Sequence, residues 1–468
     1  MTVSTTAPDG AGRTPLGVRA IAAFLGPLVL NAWLVTLVGP LLDAALGRAA
    51  EPRVHLAAFW LAFGVLLVCQ SPCLVLQQVT AAARRRGEPL SAIALGALLL
   101  GAAATVLVLA VARTPLGDAV FRDVIPTPAH TAALARATLV PMALLPLLVS
   151  LRGLAGGVAV TARRTGLLAS ATLLRVLVLG GVATAIVVLH AGGSAVSAAW
   201  MLVATTAAES VFVTLAAGLR PRAPDAAAPA RVRAAGIAPI VRLALPLAAA
   251  SLAWTAARPL VGAVLGRLAD PVLAQAAFGV VLPILFVSCG PLWAFLDVVL
   301  VLPHGPGDVR RVVRVAALAS AGFAAAIVAM TWTPLGGLVL HRAFALPRDL
   351  EHVVRPALAL LVLEPALLSA RAIGQGLLLR AGRGGLLLAL APLKLAAMLG
   401  AGLLVAARAP HANGAVLALA LFLGGDLVDA VLFAVAVRRT GAAAVAKPVR
   451  GEAAPPPASD AGPLQEAA

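Results

Sequence analysis

The chain matches itself without a gap at a spacing of 219 residues, from near its start to the end of its tenth apolar segment. A duplication of that length restricts it to folds built from two similar halves. Setting residues 24–52 (FLGPLVLNAWLVTLVGPLLDAALGRAAEP) over 243–271 (LALPLAAASLAWTAARPLVGAVLGRLADP) pairs Pro27 with Pro246, Thr36 with Thr255, Pro40 with Pro259, Leu46-Gly47-Arg48 with Leu265-Gly266-Arg267, and Pro52 with Pro271. The same spacing pairs Phe59 with Phe278, Pro72 with Pro291, the TPLG at Thr114 with the TPLG at Thr333, Pro128 with Pro347, Arg136 with Arg355, Pro146 with Pro365 and Arg152 with Arg371. Seven prolines coincide, where about one would do so by chance in a chain with 34 prolines among 468 residues.

Those halves belong in a membrane. Hydrophobic residues are 61% of the chain and charged ones 12%, and the mean hydropathy of +1.00 is spread along the whole length rather than gathered in one anchor. Apolar runs of about 20 residues, enough to cross a bilayer, fall at 20–42, 55–80, 90–112, 133–160, 166–189, 195–219, 239–265, 272–302, 312–331, 353–379, 385–407 and 414–437. The expected fold is all-α and integral to the membrane, with twelve transmembrane helices in two six-helix repeats. Because six is even, both repeats enter the membrane in the same sense and are related by an axis along its normal.

The expected organisation is an N-terminal cytoplasmic arm (1–16), an N-lobe (17–219), a cytoplasmic linker (220–238), a C-lobe (239–439) and a disordered tail (440–468). Basic loops at Arg84-Arg85-Arg86, Arg163-Arg164, 220–233, Arg310-Arg311, Arg380 with Arg383, and Arg438-Arg439 fall on one side. The positive-inside rule puts that side and both termini in the cytoplasm, against Arg113, Arg122, Arg342, Arg348 and Arg408 on the other. The polar start and the lack of a small-residue cleavage pattern predict no cleaved signal peptide. The net charge of +17 is assigned to loops facing anionic lipid headgroups rather than to nucleic acid. The dominance of Arg over Lys, with abundant Ala, Gly and Pro, has the look of a GC-rich bacterial genome. Cys69, Cys73 and Cys289 read as small apolar core residues, with no His or carboxylate cluster to complete a metal site.

The chain has no GxxxxGK[ST] loop, no HExxH and no GxSxG. The glycines of GLAGG (Gly153 to Gly157) and GRGG (Gly382 to Gly385) suit close helix packing or turns better than phosphate binding. An enzyme is not expected, nor is a cofactor. The chemistry falls to ionisable residues within the spans, which are costly enough to mark sites. Arg258 stands in the seventh span where the first repeat has Gly39, and Asp297 in the eighth stands opposite Gln78. The two could neutralise each other as a packing pair or share a solute and a proton. Arg152 is matched by Arg371 and Arg175 by Lys394. These four cations either face a central cavity and attract an anion or reach to headgroups from helix ends. Glu209, Glu364, Asp426 and Asp429 join Asp297 as candidates to carry a coupling ion. Prolines inside spans, such as Pro27, Pro40, Pro72, Pro141, Pro146, Pro246, Pro259, Pro291 and Pro365, are expected to kink or break them.

Two parallel six-helix repeats with a basic turn after each fourth helix resemble the multidrug/oligosaccharidyl-lipid/polysaccharide (MOP) flippase superfamily, which includes the multidrug and toxin extrusion (MATE) exporters. Within it the chain resembles the progressive ankylosis protein family, the ANKH-like transporters. The resemblance rests on Asn31 after Pro27, the Arg258-Pro259 pair, PLWAFLD from Pro291 to Asp297, Trp332-Thr333-Pro334, Arg371 in SARAIGQG and an acid near Asp429. It implies export of an anionic metabolite such as citrate, a nucleotide or pyrophosphate across the cell membrane, by alternating access. Arg258, Asp297, Arg371, Lys394, Arg152, Arg175, Asn31 and Gln78 would then be the solute-binding set, with proton or sodium coupling. Helix 1 has only Asn31 and Thr36 as polar positions near its centre, and helix 7 carries Arg258 instead of an acid. Both departures weigh against proton- or sodium-coupled export of cationic drugs. A MATE-type drug antiporter and a lipid-linked oligosaccharide flippase are the alternatives. The sequence leaves the oligomeric state open.

Overall fold

The computed structural model describes residues 16–85, 87–162, 164–188, 193–218, 238–303, 305–381 and 383–440. Nearly all of the expected N-terminal arm, linker and tail lie outside these residues, as do Arg86, Arg163, Gly382 and the side chains of Pro27, Asn31 and Pro246. Every described secondary element is helical. Among the described residues, eleven helices are long and apolar enough to span a membrane, and a pair bent by 51° at 362–363 makes twelve.

The spans are α1 (Val18–Leu46), α2 (Pro52–Cys69, continued by Leu76–Arg85), α3 (Leu90–Arg113), α4 (Ala129–Thr161), α5 (Thr165–Val188) and α6 (Ala195–Ala216) in the first half. The second half has α7 (Ala238–Leu265), α8 (Pro271–Val301), α9 (Pro306–Trp332), α10 (Arg348–Leu361 and Glu364–Arg380), α11 (Gly384–Arg408) and α12 (Gly414–Thr440).

Several matched prolines mark matched irregularities, because a proline removes one ladder hydrogen bond and crowds the preceding turn. Pro72 and Pro291 open the 3₁₀ turns Ser71–Val75 and Gly290–Ala294 inside α2 and α8. Pro146 and Pro365 follow the breaks in α4 and α10. Pro259 does not fit this expectation, since the α-helix runs through it, as it does through Pro283.

The two TPLG sequences build the same device. Each threonine hydroxyl donates to the carbonyl four residues back (Thr114 to Ala110, 2.6 Å; Thr333 to Ala329, 2.5 Å), and each caps the following leucine N–H at 3.3 Å. One π-helical turn follows each, at Ala119–Val124 and Leu338–Ala343.

The duplication extends further than the proline matches show. Ser194 caps α6 by accepting from Ser197 N–H (3.0 Å), and Asn413, 219 positions on, caps α12 by accepting from Val416 N–H (3.1 Å). Helix packing repeats too. A Cβ on Gly157 would come 2.7 Å from Gln77 O, and one on Gly376 would come 3.1 Å from Leu296 O, so α4 and α10 press onto the ends of α2 and α8 in the same way. GLAGG is thus a packing surface, as its small residues predict.

Candidate functional site: the seam between the halves

The seam is formed by α1, α2, α7 and α8, and its contacts come in symmetric pairs. A Cβ on Gly39 of α1 would lie 2.7 Å from Pro283 Cβ of α8, and one on Gly64 of α2 would lie 3.8 Å from Arg258 Cβ of α7. Since 39 corresponds to 258 and 64 to 283, these are the same contact made twice with the bulk exchanged. In one copy a glycine meets a proline, and in the other an arginine meets a glycine. At 3.8 Å the Gly64–Arg258 copy is an ordinary van der Waals contact, looser than the Gly39–Pro283 copy.

The Arg258 guanidinium carbon lies 5.0 Å from the ring centre of Phe286, 5.5 Å from that of Phe63 and 5.8 Å from that of Trp254. Among the described residues it has no hydrogen bond and no carboxylate partner. Each ring contact offsets about 0.5–2 kcal/mol of the desolvation cost, and five N–H donors are left without an acceptor. The corresponding residues of the other half, Val35, Leu67 and Leu282, are aliphatic, so the cage exists once. A cavity of about 10 Å³ lies beside it, lined by Trp60, Gly64, Arg258, Gly262, Gln275 and Phe278 among others.

Asp297 is not part of this arrangement. It is exposed, as is its counterpart Gln78, and the pairing of Asp297 with Arg258 considered from sequence does not form. Residues the sequence reading passed over do meet at the seam. Asp43 is fully buried, accepts from Trp60 Nε1 at 2.7 Å and, among the described residues, has no partner on Oδ2. Trp60 lines the Arg258 cavity, and Gln275 there has an unpartnered Oε1 while its Nε2 donates to Gly262 O at 3.4 Å. In the sequence Asp43 stands one residue past the apolar run at 20–42. The helix runs on to Leu46 and places it inside.

The four matched cations neither line the seam nor reach away from the helix bundle. In the first half, Arg152 Nη1 of α4 lies 3.2 Å from both oxygens of Glu209 on α6, and Arg175 Nη1 of α5 lies 3.3 Å from Glu209 Oε2. In the second half, Arg371 of α10 contacts Asp426 (2.8 Å) and Asp429 (3.2 Å) of α12, and Lys394 of α11 contacts the same two at 2.8 and 2.7 Å. Glu364, 1% exposed, sits against Asp426. Headgroup reach, considered for Arg152 and Arg371, fails because acids within each half hold them, and a buried charge is tolerated where it is paired.

At the end of the bundle opposite the start of α1 and the end of α12, the halves clasp each other. Arg48 Nη2 donates to Arg342 O (3.2 Å), Arg267 Nη1 donates to Val124 O (3.4 Å), and Arg53 pairs with Asp349. Gly47 and Gly266 lie so close to Phe344 O and Pro126 O that a Cβ on either would overlap. The repeated Leu-Gly-Arg is the source of this clasp: glycine for the approach, arginine for the bond.

Together these features define a multi-pass helical membrane protein with the fold of the MATE transporters of the MOP superfamily. No protein-family model and no curated protein matches this sequence. Among solved structures it is similar to the inward-facing conformation of a multidrug resistance MATE family transporter of the MOP superfamily (TM-score 0.60, 14% identity, 92% of this chain and 96% of that one). It is similar as well to the MATE multidrug transporter DinF-BH (TM-score 0.59, 18% identity, 92% and 98%). A third is a MOP superfamily transporter from Pyrococcus furiosus, described as having a binding pocket of reverse polarity that suggests a different function (TM-score 0.51, 16% identity, 92% and 97%). The likeness supports the superfamily fold and does not support the progressive ankylosis family within it.

Proposed function

We propose that the protein is a transporter working by alternating access between its two halves, and that it carries an organic anion of the citrate, nucleotide or pyrophosphate class out across the cell membrane. The observation that carries this reading is Arg258: a half-buried guanidinium at the seam, 5.0 to 5.8 Å from three aromatic ring centres, with no carboxylate partner among the described residues. Removing a charge from water without a partner is costly, so an anionic solute entering the seam gains a charge-assisted hydrogen bond and relieves that cost. The rings suit a solute with a flat or apolar body.

Opening would separate α1 and α2 from α7 and α8. The clasp built on Arg48 and Arg267 would hold one face shut while the other admits solute. With both termini and the basic loops in the cytoplasm, the clasped face is the outer one. Coupling to a proton or sodium would fall to the buried carboxylates, Asp43 by the seam and Glu364 beside Asp426, each with an unpartnered oxygen.

Asp43 also favours a second reading, a MATE-type antiporter of cationic drugs, in which that carboxylate receives the substrate's charge. The experiment that separates the two is uptake or counterflow in proteoliposomes. Labelled citrate, ATP and pyrophosphate are compared with a cationic dye under an imposed proton gradient, for the natural protein, for Arg258→Ala and for Asp43→Asn. Anion movement that requires Arg258 supports the proposal. Dye movement that requires Asp43 and ignores Arg258 replaces it with the second reading.

A further inference from the structure

The two internal charge clusters occupy the same place in the two halves, yet they do not hold the same charge. The second has two cations, Arg371 and Lys394, each touching both Asp426 and Asp429, with Glu364 alongside. The first has two cations, Arg152 and Arg175, and one carboxylate, Glu209, which both must share at 3.2–3.3 Å.

The matching helix caps fix the register between α6 and α12, so the missing acids can be located. The counterparts of Asp426, Asp429 and Glu364 are Ala207, Ser210 and Leu145. None of these supplies a charge. The Ser210 hydroxyl is turned to backbone carbonyls, with Thr206 O at 2.7 Å and Leu148 O at 3.0 Å. Counting only carboxylates in ion-pair contact with the cations, one (Glu209) against two (Asp426 and Asp429), the first cluster is one negative charge short of its counterpart, and among the described residues Arg175 Nε is buried without a hydrogen-bond partner. Arg152, its side chain 31% exposed, leaves the cluster open on one side, whereas Arg175 and Glu209 are enclosed.

We infer that the α4–α5–α6 cluster is a binding site for one singly charged anion, held between Arg152 and Arg175 beside Ala207, where the second half carries an aspartate of its own. An anion there gives each cation of the first half a paired negative charge, as the cations of the second half have, and gives Arg175 Nε its acceptor, because a guanidinium presents five donors in a fixed fork and Glu209 satisfies only part of two such forks. The ligand chemistry is a compact group with one negative charge and accessible lone pairs. Either a halide or the carboxylate end of a solute provides it. This site lies inside one half and is distinct from the seam at Arg258.

The test is thermal unfolding of the purified full-length protein in nanodiscs at constant ionic strength, with chloride replacing methanesulfonate from about 1 to 300 mM, and a parallel series in acetate. A ligand that binds only the folded protein raises Tm with concentration, here by roughly 2–4 °C across the series. Response to chloride alone identifies a halide site; response to acetate as strong or stronger identifies a carboxylate site. Arg175→Gln should lose the response. Ala207→Asp, which supplies the missing charge, should lose it too while unfolding at a higher temperature than the natural protein at the lowest chloride concentration. Arg258→Ala should keep it, so failure here is separable from failure of the transport reading. Chloride-35 line broadening by the natural protein, reversed by bromide or by acetate, reads binding without relying on any variant's folding. A flat Tm with no line broadening overturns the inference, as does a response that survives unchanged in both Arg175→Gln and Ala207→Asp.

Discussion

Trp60 of α2 rests against Gly279 of α8, and the two are counterparts at the 219-residue spacing, with a Cβ on Gly279 falling 2.9 Å from the indole Cγ. Two equivalent residues touch only where the axis relating them passes, so this pair marks the pseudo-twofold axis of the molecule. Asp43 and the Arg258 cavity both adjoin Trp60, which places the asymmetric chemistry of the protein around its point of near symmetry.

Gly279→Val should therefore push α2 from α8. We expect a loss of about 1–3 kcal/mol in stability from overpacking, measured by thermal or denaturant unfolding. Trp60→Ala in the same chain should recover part of it, the signature of two residues in direct contact.

Arg258→Ala should lower anion transport by roughly 10- to 100-fold, the worth of a charge-assisted hydrogen bond, with little change in unfolding temperature. Gly64→Val should lower transport as well, because its γ-methyls extend beyond a Cβ already in van der Waals contact with the Arg258 stem. Normal flux through Arg258→Ala in proteoliposomes would remove the seam arginine from the mechanism.

Lys394→Met should cost about 3–5 kcal/mol, because it leaves Asp426 and Asp429 to share a single cation in a buried site. Lys394→Arg should recover much of that. Equal unfolding temperatures for the natural protein and Lys394→Met would mean that water already compensates the cluster.

Arg48→Ala with Arg267→Ala should loosen the clasp at the end of the bundle opposite the start of α1 and the end of α12. Spin labels at His130 and His411, exposed positions on that side in opposite halves, should then report a longer and broader distance distribution. An unchanged distribution would show that glycine packing alone keeps that face closed.

Much of this fold was legible in the sequence, and the reason is specific. In a membrane every backbone polar group must be satisfied within its own helix, so apolar runs give the spans directly. Matched prolines at Pro72 and Pro291, and at Pro146 and Pro365, give matched irregularities. The TPLG and Leu-Gly-Arg repeats were visible as strings, but that Leu-Gly-Arg reaches across to the other half was not, since its acceptors, Arg342 O and Val124 O, are backbone atoms with no sequence signature.

The site was legible only as an inventory. Sequence placed Arg258 within a span and found its counterpart to be Gly39, and it matched Arg152 with Arg371 and Arg175 with Lys394. Which charges meet was decided by tertiary packing. Asp297 went to an exposed face, the matched cations turned inward to acids on α6 and α12, and Phe63, Trp254 and Phe286 converged on Arg258 from three helices. Hydropathy and a repeat constrain the backbone one segment at a time. The partner of a buried charge is set by the rotation of each helix about its own axis, and only the packing of all of them together fixes that rotation.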